Sequence, residues 1–405
     1  MSFVPVILGT DINAYGVARS LHEAYGIKSY AIGRKPLRYT RKSKILHVET
    51  YGDFYTDQGF LRVMEDFAQT HKKEGTLLLI SCSDEYTSLI TKYKDRLAKD
   101  YVFNYIDHAL QERLENKLDF YEICEDYGLD YPKTQIISLD NYQNFNWPSH
   151  YPLGLKANDS IEYVHLDFDG KKKFYKIHSQ EDLEETVQLI YGAGYQGELI
   201  LQDYIPGDSS AMFVLNAYVD SQGEVTMMCL GKCLLDECLP TEIGNYNALL
   251  TLGDQAIYDQ YESFLKRIGY RGFANFDLKY DERDGKYKVF EINIRQGRSS
   301  YYMTAGGCNF MTYYVADLIE NKRLKTHYHF DQGLWLYVDP AVLRKYVNPK
   351  DKDLALTHLR RGYSFTQWYE KDQSLARFMD YWRRRLSTRK YYPIYQEKRQ
   401  EEDQA

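Results

Sequence analysis

A chain of 405 residues with 44% hydrophobic residues is long enough to form two or three domains around a sizeable core. Its net charge of -7, without a dense basic stripe before the C-terminal tail, argues against a nucleic-acid-binding protein. The longest apolar runs, such as residues 77–80, have the length of strands, and the N-terminus enters a strand without a basic, cleavable leader. We therefore expect a cytoplasmic protein without a membrane span.

Six cysteines are spread along the chain without a CxxC pair. They fall mostly in apolar or helical segments, as is typical of reduced thiols in a protein core. We interpret them as free core thiols in preference to a metal site or a disulfide framework. They are Cys82, Cys124, Cys229, Cys233, Cys238 and Cys308.

The first 118 residues alternate between short apolar runs and amphipathic segments. Strands are predicted at residues 4–8, 29–32, 45–48 and 77–80, and helices at residues 14–25 and 59–72. This order predicts a doubly wound, mostly parallel sheet of the Rossmann type. The turn at residues 9–16 lacks the GxGxxG spacing of dinucleotide-binding proteins. That turn and residues 81–85 follow strand ends, where each either contacts substrate or caps the next helix.

A second unit is predicted after a helix at residues 108–127, because glycine and proline follow that helix. Its strands are predicted at residues 134–137, 153–157, 162–168, 171–177 and 198–203, and its helix at residues 180–191. Lys156 lies in an apolar strand, where it either extends its ammonium group to water or binds a ligand anion. Residues 204–208 contain proline and glycine and are interpreted as a hinge to a third unit.

A hairpin rich in charged side chains is predicted in the third unit, with its turn at residues 284–285. Because side chains alternate between the faces of a strand, Asp277, Glu291 and Asn293 share one face. Arg295 continues the same alternation. Apolar neighbours indicate that both faces are largely buried, where unpartnered acids are rare, so a hard divalent cation that binds phosphate suits these oxygen ligands. The alternative is a surface hairpin whose carboxylates face water.

These features stand in an order that resembles the ATP-grasp superfamily of carboxylate-amine ligases. The ordered set is Lys117, Lys156, residues 202–207, Asp277, residues 291–293 and Arg295. The resemblance implies an ATP-grasp fold of mixed α/β and α+β type. Its parts would be an N-terminal Rossmann-like domain (residues 1–118), a central lid domain (119–205), a C-terminal catalytic domain (206–325) and a basic and aromatic extension (326–405).

The resemblance implies nucleotide contacts for Lys117, Lys156, Gln202, Asp203, Tyr204, Ile205 and Asp208. Lys117 and Lys156 would contact the phosphates of ATP, and the main chain of the hinge would hold adenine. Gln202 stands where many relatives have glutamate. Asp208 either meets the ribose hydroxyls or caps its own turn. Because no glycine-rich loop follows Lys156, lysines in residues 172–173 would close over the phosphates.

The same resemblance implies the metal ligands and the catalytic cations. Asp277, Glu291 and Asn293 would hold Mg²⁺, with Mn²⁺ as the alternative ion. Arg295 would stabilise the transferring phosphoryl group. Arg298 would hold the acyl phosphate or the substrate carboxylate, and its alternative is a structural ion pair. Phosphoryl transfer depends on positioning and charge neutralisation, so this site needs no nucleophilic serine or cysteine.

A closer resemblance covers nearly the whole chain. The chain is similar to the D-aspartate ligases of Gram-positive peptidoglycan assembly in the segments LGTDINAYGVARSLHEAYG, NKLDFYEICEDYGLDYPKT, LQDYIPGDSSAMFVLNAYVD, GFANFDLKYDERDGKYKVFEINIRQGRSS and YEKDQS. This implies ATP-dependent activation of the side-chain carboxylate of D-aspartate, and attack by the lysine ε-amine of a UDP-MurNAc-pentapeptide precursor. A ligase for another amino acid or peptide, and a non-catalytic nucleotide-binding protein, are the alternatives.

The tail beyond residue 325 combines basic and aromatic residues, most densely at residues 382–385. This composition suits peripheral contact with an anionic membrane, at its inner face. The alternative is a helix packed on the catalytic body. Pro393 is predicted to interrupt any helix in this tail, and residues 401–405 are predicted to fray.

Overall fold

The computed structural model describes residues 2–148, 150–158, 163, 165–172, 174–240 and 242–404. Its N-terminal sheet has five parallel strands in the order β3-β2-β1-β4-β5, which confirms the predicted Rossmann-type unit. The strands are β1 (Phe3–Leu8), β2 (Ser29–Gly33), β3 (Leu46–Thr50), β4 (Thr76–Ser81) and β5 (Tyr101–Val102). The helices are α1 (Ile12–Tyr25), α2 (Asp57–His71), α3 (Asp84–Lys92) and α4 (Lys94–Leu97). The central strands β1 and β4 are buried almost throughout, as expected when helices cover both faces of a sheet.

Two helices, α5 (His108–Glu115) and α6 (Lys117–Tyr127), replace the single helix predicted at residues 108–127. The break occurs at Asn116, whose backbone is extended and whose side-chain oxygen accepts hydrogen bonds from the amides of the first turn of α6. Asparagine is one of the preferred N-cap residues, and this local bond competes with helix continuation. As a result, Lys117 is the first residue of α6.

The lid is a four-stranded antiparallel sheet in the order β6-β9-β7-β8. It consists of β6 (Thr134–Ile137), β7 (Leu153–Ala157), β8 (Tyr175–Ile177) and β9 (Leu199–Asp203), with helix α7 (Gln180–Gly192) packed on it. The strand predicted at residues 162–168 is wrong for its described residues, because Tyr163 is helical and residues 165–168 lie outside any strand. Instead, Tyr163, Leu166 and Phe168 pack onto the core of the lid sheet. Residues 162 and 164 lie outside the described residues.

The catalytic sheet has eight strands, seven of them in the order β14-β13-β10-β11-β12-β16-β17, while β15 pairs with β11. They are β10 (Met212–Val219), β11 (Val225–Asp236), β12 (Tyr246–Leu252), β13 (Gly272–Asp281), β14 (Lys286–Asn293), β15 (His327–His329), β16 (Leu334–Leu336) and β17 (Tyr363–Phe365). Helix α8 (Gln255–Arg267) packs on it, and α9 (Tyr301–Ala305) and α10 (Phe310–Leu318) join it to α1 of the first sheet. One continuous core therefore spans the N-terminal and catalytic sheets.

The C-terminal part adds helices α11 (Pro340–Tyr346), α12 (Lys352–Arg361) and α13 (Leu375–Gln404). The predicted interruption at Pro393 is wrong, because α13 continues through this proline. Its inner face explains why: Tyr392 is fully buried, accepts a 2.7 Å hydrogen bond from Asn247 and donates to the carbonyl of Asp236. Packing against the catalytic sheet thus outweighs the cost of a proline within a helix.

All six cysteines are reduced and buried, so the prediction that they form no disulfide framework agrees with the structure. Among the described residues, none of the helices combines the length and the apolarity needed to cross a bilayer.

Candidate active site

The centre of the candidate site is the hairpin of β13 and β14. Asp277 lies directly opposite Glu291, and Asn275 lies directly opposite Asn293. Opposite residues of an antiparallel pair project from the same face with their Cβ atoms about 5 Å apart. The structure therefore brings the three oxygen-bearing side chains of the predicted metal site together and adds Asn275, which belongs to the same alternation.

These side chains open into one cavity of the catalytic sheet. The cavity is lined by Asn275, Asp277, Glu291, Asn293, Arg295 and Arg298, and by Tyr246 from β12. Within it, the amide nitrogen of Asn293 donates to Asn275 at 3.1 Å and to Asp277 at 3.4 Å. The amide nitrogen is thus turned toward the hairpin.

The two carboxylates of this cavity differ in their proton affinity. Burial, followed by the charge of Glu291, raises the pKa of Asp277 to about 7, although the hydroxyl of Tyr246 donates to its Oδ1 atom at 2.7 Å. Glu291 is half exposed; partial desolvation in the cavity opposes its ionisation, but the ammonium groups of Lys117 and Lys156 outweigh this and lower its pKa. The positive charge near these two adjacent carboxylates is too small to keep both of them ionised. A bound cation would favour ionisation of both, and protons would compete with that cation below about pH 7.

Lys117 and Lys156 approach this pair from two different elements. Lys117 begins α6 and donates to Glu291 at 3.1 Å, an arrangement that the break at Asn116 makes possible. Lys156 lies on β7 of the lid and acts on Glu291 through its charge. Two cations from outside the catalytic sheet therefore face its carboxylates, which favours an anion-binding function of Lys156 over simple extension to water.

Arg295 connects the hairpin to the first domain. Its Nη2 atom donates to Asp84 at 2.7 Å, at the start of α3 after β4. The Arg295 side chain is only 15% exposed, and its buried Nε atom has no hydrogen-bond partner within the part of the chain that the structure describes. A buried donor without a partner costs free energy, and an anionic oxygen atom in the cavity would satisfy it.

Arg298 is a second arginine that lines the cavity. It forms a 3.2 Å ion pair with Glu242, donates to the carbonyl of Tyr246 and lies 4.6 Å from the centroid of the Tyr337 ring. Residues 244–246 line the cavity beside it, and Glu242 is a site residue that the sequence did not indicate. A single acid in a loop has no pattern that distinguishes it.

The hinge between lid and catalytic sheet is held by groups that the sequence did not indicate. Lys279 donates to the carbonyls of Ile205 and Gly207 at 2.8 Å and 2.7 Å. Arg283 bridges Asp203 and Asp281, with 2.7 Å contacts to both. The signal for these contacts is weak, because both cations lie far from the hinge in sequence and are typical surface residues of a hairpin.

The remaining nucleotide residues are placed around this hinge. The Gln202 amide is buried and donates to the hydroxyls of Tyr121 on α6 and Thr134 on β6, so its side chain bonds the lid sheet to α6. Tyr204 lies beneath the ammonium groups of Lys176 and Lys279. The carboxylate of Asp208 accepts from the amide and hydroxyl of Ser210 and from Asn348, as expected of a turn cap.

The loops after β1 and β4 have capping roles. Asp11 accepts from the amide of Ala14 at the start of α1, and Ser83 accepts from the amide of Tyr86 at the start of α3. Asp84, however, also contacts Arg295, so this second loop reaches the candidate site. Lys173, one of the two lysines expected to close over the phosphates, lies outside the described residues.

Solved structures of other proteins share this three-part architecture. No protein-family model matches the chain. N5-carboxyaminoimidazole synthetase from Staphylococcus aureus, solved with ADP, is 15% identical, covers 89% of this chain and 86% of its own, and superposes with a TM-score of 0.59. An L-amino acid ligase from Bacillus licheniformis is 14% identical, covers 76% of this chain and 72% of its own, and superposes with a TM-score of 0.52.

The structural neighbours and the arrangement of the sheets identify an ATP-grasp fold. A curated relative, similar in sequence, shows which family of ATP-grasp enzymes includes this chain. The D-aspartate ligase of Enterococcus faecium (strain Aus0004) is 42% identical over 390 residues, which cover 93% of this chain and 93% of the relative. The chain belongs to the D-aspartate ligase family and is an ATP-dependent carboxylate-amine ligase.

Proposed function

We propose that the protein joins the side-chain carboxylate of D-aspartate to the lysine ε-amine of a UDP-MurNAc-pentapeptide precursor, with conversion of ATP to ADP and phosphate. The likeness to a D-aspartate ligase over 93% of the chain supports this substrate. The observation that carries the proposal is the pairing of Asp277 with Glu291 in one cavity with Arg295 and Arg298. This cavity combines a set of oxygen ligands with donors for anionic oxygen atoms.

Asp277, Glu291 and Asn293 fit a hard divalent cation. Their oxygen donors are those that Mg²⁺ takes, with Mn²⁺ as the alternative ion, and the raised pKa of Asp277 reports a pair of carboxylates that lacks positive charge. Because the amide nitrogen of Asn293 is directed at Asn275 and Asp277, its oxygen is the atom offered to the ion. When bound, the ion would neutralise charge on the phosphates of ATP.

The hinge would provide the adenine site. Main-chain groups of Asp203, Tyr204 and Ile205 would line it, while Lys279 fixes the carbonyl of Ile205 and Arg283 fixes the side chain of Asp203. Lys117 and Lys156 would bind phosphate oxygens, which are stronger partners for these ammonium groups than Glu291 alone. The side chain of Gln202 would hold β9 against α6 and β6, because its amide already bonds to Tyr121 and Thr134.

The first chemical step would activate the carboxylate, which is itself a poor electrophile. A carboxylate oxygen of D-aspartate attacks the γ-phosphorus of ATP, the bond to the β-phosphate oxygen breaks, and ADP leaves. Arg295 would stabilise the charge on the transferring phosphoryl group through its forked donors, including the buried Nε atom. Charge neutralisation and positioning account for this step without a covalent enzyme intermediate.

The second step would form the amide. The neutral ε-amine of the acceptor attacks the acyl carbon, the carbon–oxygen bond to phosphate breaks, and the proton lost by the nitrogen leaves with the departing phosphate. Arg298 would hold the α-carboxylate of aspartate or the departing phosphate, because its guanidinium faces the cavity between Glu242 and Tyr246. Water must be excluded throughout, since it would hydrolyse the acyl phosphate.

The choice of amino acid is tested by phosphate release in the presence of ATP, Mg²⁺ and the pentapeptide precursor, over a panel of D- and L-amino acids. We expect D-aspartate to support the highest rate. Preference for another amino acid would assign the chain to a ligase of different specificity. Phosphate release with none of the amino acids, by a protein that still binds ATP, would instead indicate a nucleotide-binding protein without ligase activity.

We further propose that α13 contacts the anionic inner face of the cell membrane. The side of α13 that faces the protein is bound to it, because Arg384 pairs with Glu237 and Arg385 pairs with Asp339. Its outer face exposes a row of apolar side chains, namely Leu375, Phe378, Met379, Trp382 and Leu386, flanked by the exposed cations Arg383 and Lys390. An apolar row beside cations is typical of helices that lie at a bilayer surface.

The membrane proposal predicts sedimentation with vesicles that contain phosphatidylserine and weaker sedimentation with neutral vesicles. Changing Met379 and Leu386 together to glutamine should abolish binding, because it removes apolar area on the outer face. Leu189→Gln is the matched control, since Leu189 is an exposed leucine of the lid helix α7. Equal sedimentation of all three proteins with both kinds of vesicle would contradict the proposal.

A further inference from the structure

A group of soft metal ligands lies on the catalytic sheet away from the candidate active site. His327 and His329 are on β15, which pairs with β11 so that His329 is the register partner of Cys229. Alternate residues of a strand share a face, so both histidines lie on the face of Cys229. Cys308 follows α9 and lies over this face. Three separate segments of the chain therefore converge at this point.

The side chains of this group approach as metal ligands do. One ligand atom each from Cys308, His327 and His329 lies within 4.8 Å of the others. His329 is 2% exposed, and its Nε2 atom has no hydrogen-bond partner among the described residues. A buried ring nitrogen without a partner costs free energy, and coordination of a metal ion would satisfy it.

The chemistry of the three side chains indicates which metal they suit. Thiolate and imidazole together are characteristic ligands of Zn²⁺, whereas carboxylates are absent from this group. Ligand atoms around tetrahedral zinc are separated by about 3.5 Å, so small side-chain movements would close the group on an ion.

We propose that Cys308, His327 and His329 form a zinc-binding site. Cys229, whose thiol contacts that of Cys308, borders this group without being one of its three ligands. The ring of Tyr313 stacks on His327, with 6.1 Å between the ring centroids, and thereby restricts its orientation. The site lies where the segment after α9 and strand β15 meet β11, so a bound ion would fasten both to the catalytic sheet.

This site is distinct from the proposed magnesium site. Cys229, Asn216, Asn275 and Asn293 are register partners across β11, β10, β13 and β14. Three strand spacings separate the two ends of this row, which corresponds to about 14 Å. Asparagine side chains occupy the middle of the row and bond to one another, Asn275 to Asn216 and Asn293 to Asn275. The ligand chemistry also differs, because one end offers sulfur and nitrogen and the other offers oxygen.

The proposal is tested on the purified full-length protein with metal ions as the only probes. Protein produced with added zinc should contain about one equivalent of zinc when measured by inductively coupled plasma mass spectrometry. Addition of Co²⁺ to protein freed of metal should produce thiolate-to-cobalt charge-transfer absorption together with the visible bands of tetrahedral cobalt. Neither measurement depends on ligase activity, so its outcome is independent of the proposed substrate.

Variants identify the ligands. Cys308→Ser should remove the charge-transfer absorption, and His327→Ala, a change at an exposed position, should weaken Co²⁺ binding by more than about 100-fold. Cys124→Ser is the matched control, because Cys124 is a buried thiol in a different core cluster. Unchanged circular dichroism would show that His327→Ala retains the fold. Absence of zinc and of cobalt–thiolate absorption in the unmodified protein, or its persistence in Cys308→Ser, would overturn the proposal.

Discussion

Replacement of Glu291 by alanine is expected to lower the rate of ligation at saturating ATP and Mg²⁺ by at least about 100-fold, because a metal ligand contributes several kcal/mol to phosphoryl transfer. The change also removes the partner of Lys117, 3.1 Å away. The fold should persist, since the Glu291 side chain is 48% exposed. Initial rates of phosphate release with D-aspartate and the precursor measure the effect, and melting temperature measures the fold.

Glu282→Ala provides the matched control for this variant. Glu282 belongs to the turn of the same hairpin, and its side chain is 70% exposed in a surface pair with Lys350. Its loss should leave the rate unchanged, because exposed ion pairs contribute little. If Glu291→Ala were as active as Glu282→Ala, Glu291 would have no role in metal or phosphate binding.

Replacement of Arg295 by alanine is expected to lower kcat by about 10²- to 10³-fold, which is typical when one preorganised donor to a developing charge is lost. The bridge to Asp84 holds its guanidinium at the cavity before ATP binds, and the buried Nε atom remains available to the transferring phosphoryl group. The KM for ATP should change little, because the interaction strengthens in the transition state. Steady-state kinetics for each substrate separate the two parameters.

Two further variants distinguish geometry from charge at this position. Arg295→Lys retains a cation but not the fork, so it should recover only part of the lost rate. Arg62→Ala, which removes a surface arginine paired with Asp53, should have no effect. A wild-type kcat in Arg295→Ala would refute its catalytic role, and a change confined to KM would make it a binding residue only.

The hairpin of the site could be predicted from the sequence because its signals are local. Strand alternation predicts the face of the strand from which Asp277 projects, and an Asp-Gly pair marks the turn that places Glu291 opposite Asp277. The parallel sheet of the first domain was equally accessible, since apolar runs of strand length alternate with amphipathic helices. In each case neighbouring residues in the chain determine the element.

Errors arose where tertiary packing decides the outcome. The buried hydroxyl of Tyr392 and its neighbours hold α13 in one helix despite Pro393. Tyr163, Leu166 and Phe168 pack onto the lid core although their segment has the spacing of a strand. At Asn116 a single capping side chain divides a segment that is otherwise helical in composition. Propensity alone does not weigh these contacts.

Contacts between distant segments were the least accessible from the sequence. The bridge of Arg295 to Asp84 spans 211 positions, and the hinge bonds of Lys279 span more than 70. The proposed zinc ligands show the same limit, because Cys308 lies 19 positions before His327 and no sequence pattern links it to the pair of His327 and His329. Only the pairing of β15 with β11 brings them together.

Mass spectrometry of the product tests the central claim most directly. The protein would be incubated with ATP, Mg²⁺, the UDP-MurNAc-pentapeptide and isotopically labelled D-aspartate, and the product would be fragmented. We expect a precursor heavier by one labelled aspartate less one water, with the label attached through an amide at the lysine ε-nitrogen. An unmodified precursor, or a label attached at another amine, would contradict it.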